Sequence, residues 1–287
     1  MAAFDPASYA TITVPADTPR PAARHSDIDH VAGDIYMVRG AMTSTASRPL
    51  FERAFQKFSR TMTIVRRPDG VGGHELTLIN TIRLNEKGLE ALGKLGRIAQ
   101  VVRLGSFHGV DDAFYVNRFK ARYWVVAGME PAPGFTGSAE IMGGENLPIA
   151  GALWFEFANI RFPEGVIILP ANDERPGVAI TVDSVQNHVR ALDRDNSLLV
   201  SFAISKIGLK GIARLGPIWM RDQINYSDEA LAGEQSKRAE MIACLRPQFE
   251  ALIANYDFEM LMPGHGWPLM ANARKRIGES IEDQLGG

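Results

Sequence analysis

The stretch Ile98-Ala-Gln-Val-Val-Arg-Leu104, followed by Gly105-Ser-Phe-His108-Gly-Val-Asp111-Asp112 and Ala113-Phe-Tyr-Val-Asn-Arg-Phe119, decides how the chain is read. Five of its first seven residues are apolar, and Ile98, Val101 and Val102 are β-branched, so it predicts a buried strand that ends at Gly105. A short polar loop then carries His108, Asp111 and Asp112, and Ala113 to Phe119 open a helix. A strand that delivers a histidine and two carboxylates to the loop at its C-terminal end is a common way to build a site in an α/β protein. Two later segments share that setting. Val178 to Val182 runs into Asp183-Ser184, and Phe258 to Met262 runs into Pro263-Gly264-His265-Gly266.

Outward from this stretch the elements alternate. Asp34 to Gly40 predicts a first strand, and Phe51, Phe55 and Phe58 recur at helical spacing. Thr61 to Arg66 and Glu75 to Ile79 predict a hairpin around Pro68-Asp69-Gly70 and Gly72-Gly73. Asn85 caps a helix over Glu86 to Leu95, with Leu89, Leu92 and Leu95 inward. Beyond the central stretch, Arg122 to Ala127 is a strand and residues 129 to 150 a Gly- and Pro-rich surface loop that can cover a site. Ala152 to Ile160 and Gly165 to Leu169 are strands. From Leu198 onward the chain reads as mostly helical, with Gly208 and Gly211 breaking an apolar run over Phe202 to Leu215. A helix over Ser236 to Tyr256 should kink or divide at Pro247, and Ala271 to Leu285 closes the chain as an amphipathic helix.

The totals narrow the function classes. Of the 287 residues 46% are hydrophobic, enough for a sizeable core, and the net charge of −2 speaks against a broad nucleic-acid surface. The single cysteine, Cys244, excludes an intrachain disulfide and a Cys-rich zinc cluster. No stretch approaches the ~18 apolar residues of a membrane span, and no signal peptide opens the chain, so a cytoplasmic location without membrane or nucleic-acid partners is expected. Residues 1 to 30 read as an irregular arm in which His25 and His30 are solvated. His74 reads as a turn-edge residue, and His188 as a surface or core residue rather than a partner of the Asp183 loop. Cys244 reads as a small buried hydrophobe, and Arg274 to Arg276 as a solvated helix face.

The order of elements and the three strand-end loops resemble the metallo-β-lactamase fold, an α/β architecture in which two facing mixed β-sheets, flanked by helices, form an αββα sandwich. The resemblance spans most of residues 31 to 270 and implies that 31 to 287 form one domain of this kind. That family's signature is His-x-His-x-Asp-His after a strand, then a later His, an Asp at a strand end and a final Gly-His-Gly-like loop. This chain departs from it. If His108 is the second His, Ser106 replaces the first, Val110 the Asp and Asp111 the last His. Shifted by one residue, Asp111 takes the Asp place and Asp112 the last His place. Glu164 is the candidate for the intermediate His.

The resemblance therefore implies a carboxylate-rich, degenerate centre with His108, Asp183, His265 and Glu164 as metal ligands and Asp111 or Asp112 as a further ligand or general base. Few imidazoles among several carboxylates suit one divalent ion, whether zinc, manganese or iron. Two readings stay open. One is a mononuclear metallohydrolase acting on a small-molecule substrate. The other is a non-catalytic member of the fold, without metal, whose loops form a binding or structural surface.

Overall fold

The computed structural model describes residues 25–41, 59–130, 132, 134–189, 202, 205–206, 208–231 and 233–286. The helix expected over 51–58 and most of the N-terminal arm lie outside these residues. Strands β1 (Asp29–Ala32), β2 (Ile35–Ala41), β3 (Ser59–Pro68), β4 (His74–Ile79), β5 (Arg97–Arg103), β6 (Arg122–Val126) and β7 (Glu140–Met142) form a seven-stranded sheet in that order. β1 to β4 pair antiparallel, and β4 to β7 pair parallel.

The change of direction follows from the connections. The β3–β4 hairpin is closed by Asp69, whose Oδ1 accepts from Val71 N at 3.0 Å and Gly73 N at 2.8 Å. Parallel neighbours need crossovers, and helices supply them. α1 (Glu86–Leu95) links β4 to β5, with Asn85 Oδ1 accepting from Gly88 N at 2.9 Å as its cap, and α2 (Asp112–Phe119) links β5 to β6.

A second sheet is built from β8 (Leu153–Glu156), β9 (Gly165–Leu169) and β10 (Val178–Ile180), joined after a separate two-stranded ribbon, β11 (Val185–His188) and β12 (Gly211–Leu215), by β13 (Met260–Met262). β13 pairs parallel with β10, so the chain leaves both strands at the same end of the sheet. The other helices are α3 (Pro217–Asp222), α4 (Asp228–Leu231), α5 (Glu234–Asn255) and α6 (Ala273–Leu285). Among the described residues no helix is long and apolar enough to cross a membrane.

Strand alternation sorts the core into layers. Val102, Trp124 and Ile79 of the first sheet pack with Ile167, Leu169, Ile180 and Met262 of the second between the sheets. Val101, Leu76 and Leu78 face the other way, onto Leu89 and Leu92 of α1 and Tyr115 and Val116 of α2. Val166, Ile168 and Leu261 turn outward onto Phe249 and Leu252 of α5 and Ile277, Ile281 and Leu285 of α6. The result is helix, sheet, sheet, helix: the expected αββα sandwich.

Several local expectations change. Asp29 and His30 belong to β1 rather than to an irregular arm. The 129–150 loop contributes β7 to the edge of the first sheet. β11 and β12 occupy sequence read as featureless or helical, because a short apolar run broken by glycine has no period that separates strand from helix. Pro247 lies inside α5 without dividing it. Phe249 is fully buried against the rings of Phe157 and Trp219. Phe249→Ala should therefore cost about 3–5 kcal/mol in urea unfolding, against under about 0.5 kcal/mol for a control at exposed Lys94.

Candidate metal centre

His108, Asp183 and His265 converge from three loops, each at the C-terminal side of a strand: β5, β10 and β13. Their ligand atoms lie within 4.8 Å of one another. His265 Nε2 is 3.1 Å from His108 Nε2 and 3.0 Å from Asp183 Oδ1, and His108 Nε2 is 3.6 Å from Asp183 Oδ2.

The His265 loop is held by β3. Thr61 N donates to the Gly264 carbonyl at 2.8 Å, and Thr61 Oγ1 donates to the Gly266 carbonyl at 3.0 Å. His265 Nδ1 meets the Ser59 carbonyl. The flanking glycines allow this. Gly266 has φ +87°, and a Cβ there would overlap the Asn187 carbonyl; a Cβ on Gly264 would press on the Val182 backbone.

The Ser59 contact also fixes the ring's tautomer. A carbonyl only accepts, so Nδ1 carries a proton and Nε2 is the nitrogen turned toward Asp183. Burial brings the His108 imidazolium down to about 4, against the pull of Asp183 and with help from His265 and Arg60. At neutral pH His108 is therefore an uncharged lone-pair donor. Burial alone would raise the Asp183 carboxyl, but the two imidazoles beside it more than offset this and hold it well below the usual range. Lone pairs of this kind, facing one another at about 3 Å, repel unless a proton or cation lies among them. Four ligands tetrahedrally placed at about 2.0–2.1 Å from a zinc ion stand about 3.3 Å apart. The closest approaches of 3.0, 3.1 and 3.6 Å, in which Asp183 turns Oδ1 to His265 and Oδ2 to His108, lie around that value, and with one atom from each residue the set stays within 4.8 Å, so the residues present fit a divalent ion.

Solved structures of low sequence identity superpose on most of the chain. The FIM-1 metallo-β-lactamase of Pseudomonas aeruginosa, in its mono-zinc form, aligns over 92% of this chain and 98% of its own at 10% identity and a TM-score of 0.50. A β-lactamase domain protein from Burkholderia ambifaria aligns over 92% and 77% at 12% identity and a TM-score of 0.50. The chain has the metallo-β-lactamase fold. A variant flavo di-iron protein from Thermotoga maritima shares this fold over 91% of the present chain and 62% of its own, at 11% identity and a TM-score of 0.50. No family model matches the sequence. No curated protein matches it either.

The other candidates on the metallo-β-lactamase scaffold have partners of their own. Glu164 is buried under the Asp183–Ser184 bend, where Oε1 accepts from Ser184 N at 2.7 Å. Burial and the Asp183 charge push its carboxyl well up, favouring the protonated form. Asp112 accepts from Thr81 Oγ1 and, at 2.9 Å, from the Tyr123 hydroxyl. Burial raises its carboxyl against the pull of Thr81, Arg103 and Tyr123. Asp111 Oδ2 accepts from Arg83 N at 3.1 Å and meets Arg60 Nη1 at 3.5 Å.

Arg103 completes the support of the His108 loop. Its guanidinium donates to the carbonyls of Gly105, Ser106 and Glu130. A charged residue inside the apolar run Val101-Val102-Arg103-Leu104 was a visible signal for this role. His188 is buried in β11 against Gln186 Oε1 at 3.0 Å, and His30 is exposed with Nε2 on the Gly33 carbonyl at 2.8 Å. His74 opens β4 beside Arg66 at 3.0 Å, and Cys244 is half-buried.

Burial pulls His188 down to about 3 from an ordinary 6.5. Its folded value lies below its unfolded one, so the unfolded chain takes the proton first and stability falls as pH drops below 6.5. For His188 alone this amounts to about 2 kcal/mol between pH 7 and pH 5. In chelator-treated protein, His188→Gln should shrink the loss of unfolding free energy between these two pH values by about that amount. Equal losses in the two proteins would show that His188 is not held neutral.

Proposed function

We propose that the protein is a metal-dependent hydrolase that binds one divalent ion, zinc, manganese or iron, through His108, Asp183 and His265. The observation that carries this reading is the convergence of the three side chains, with ligand atoms within 4.8 Å of one another, on a metallo-β-lactamase scaffold. When bound, the ion would polarise a carbonyl or phosphoryl group and acidify a water at the site.

The chain's own residues divide the remaining work. His108 presents a neutral ring, and Ser59 keeps the His265 ring from turning. Asp183, ionised between the two rings, supplies the negative charge that the ion would meet. We assign Asp111, Asp112 and Glu164 to holding the loops, because each has an oxygen committed to a nearby donor. The substrate is a small molecule entering over the strand ends, and a cytoplasmic setting without membrane or nucleic-acid partners agrees with the chain's charge and hydropathy.

Metal content of protein purified without chelator or affinity metal tests the reading. About one equivalent is expected by elemental mass spectrometry, with less than about a tenth in the His108→Ala, His265→Ala double variant. No metal in the parent after incubation with zinc, manganese and iron would sink the hydrolase and favour a binding or structural protein.

A further inference from the structure

A cavity of about 800 Å³ lies where α3, α4, α5 and α6 meet β12. None of His108, Asp183 and His265 lines it. Its volume falls in the range of small-molecule sites, about 300–1,000 Å³. Part of its wall is apolar. Met220 and Ile224, 4% and 8% exposed, belong to the core beneath and to the cavity above, and Met241 joins them. Methionines reshape readily around a flexible apolar guest. Leu231 of α4 lines the cavity too, and at 57% exposure it is a large aliphatic side chain left in water.

The rest of the lining is charged, and the charges do not balance. Five of these residues are Arg or Lys and three are Asp or Glu. Each acid already has its cation: Arg214 Nη1 is 2.6 Å from Asp283, Arg221 Nε 2.8 Å from Asp222 and Lys237 Nζ 3.0 Å from Glu234. Arg161 and Arg238 are left over. Arg161 lies over the Phe162 ring, and Arg238 Nη2 donates to the Gly286 carbonyl at 3.2 Å; among the described residues neither is paired with a carboxylate. Both are exposed and so stand at the rim. The whole chain carries −2, so this positive excess is local, and it draws anions to an apolar wall.

We propose that the cavity is a second binding site, separate from the metal centre, for a small amphipathic anion: an aliphatic chain of medium length that ends in a carboxylate. The chain is buried on Met220, Ile224, Met241 and Leu231, and Arg161 and Arg238 supply the charge and the planar donors that a carboxylate takes. The site stands whether or not an ion occupies the metal centre.

Isothermal titration calorimetry of the full chain with decanoate, kept below its micelle-forming concentration, tests this. The parent should take up one equivalent. Decyltrimethylammonium, with the same chain and the opposite charge, should bind at least about tenfold more weakly. The Arg161→Gln, Arg238→Gln double variant and Leu231→Glu should each lose at least about tenfold in decanoate affinity, and a Lys94→Gln control should stay within about twofold. All four positions are exposed, so these variants keep the fold. After chelator treatment and dialysis the parent's affinity should change by less than about threefold. A loss of about tenfold or more there would place decanoate on the metal centre and overturn the proposal. So would the absence of saturable decanoate binding, equal affinity for the two amphiphiles, or undiminished binding by the arginine double variant or by Leu231→Glu.

Discussion

The contact between His265 Nδ1 and the Ser59 carbonyl joins the two sheets at the end where the candidate centre lies. Ser59 starts β3 of the first sheet, and His265 follows β13 of the second. Apolar packing between the sheets brings the strands together but is indifferent to small slides along them. A hydrogen bond to one ring nitrogen is not. It sets which face of the loop looks inward and turns Nε2 toward Asp183. Gly264 and Gly266 let the backbone approach closely enough, and Thr61 takes up the two glycine carbonyls that the approach would otherwise bury unpaired.

Much of this was legible from strand ends. His108, Asp183 and His265 each follow an apolar β-branched or aliphatic run, and a residue in that position is placed by the strand before it. The first sheet was equally readable, since its hairpin has Asp69 and glycines to close it and α1 has Asn85 to cap it. The short strands were not. β7 and β11 have three and four residues, too few to show a period, and Gly211 starts β12 within a run that suits a helix as well.

The supports of the site were hidden for a different reason. Ser59 acts through its carbonyl, which every residue possesses, so nothing in its side chain marks it. Arg60 and Asp111 are 51 positions apart in sequence and meet because β3 begins at the end of the sheet where β5, across β4, runs into the His108 loop. Asp111 and Asp112, read as chemistry because they share a loop with His108, have neighbours that no spacing could supply: Arg83 N for one, Thr81 and Tyr123 for the other.

Buried carboxylates make the decisive comparison. An ionised carboxylate out of water must be met by donors or by positive charge, and several among the described residues show how they are met. Asp34, on the far side of the first sheet, has Arg175 at 2.6 Å and Arg67 at 2.9 Å. Asp111 has a guanidinium and an amide, Asp112 has two hydroxyls with Arg103 close by, and Glu164 has an amide and tends to keep its proton. Asp183 differs from all of them. It is ionised, and its side-chain neighbours are two imidazoles, one with Nδ1 turned to Ser59 and the other kept neutral by burial. The protein thus sets this carboxylate against two ring nitrogens rather than against a guanidinium. A cation from outside the chain meets all three needs at once, whereas a proton would satisfy one pair of atoms and leave the third opposed.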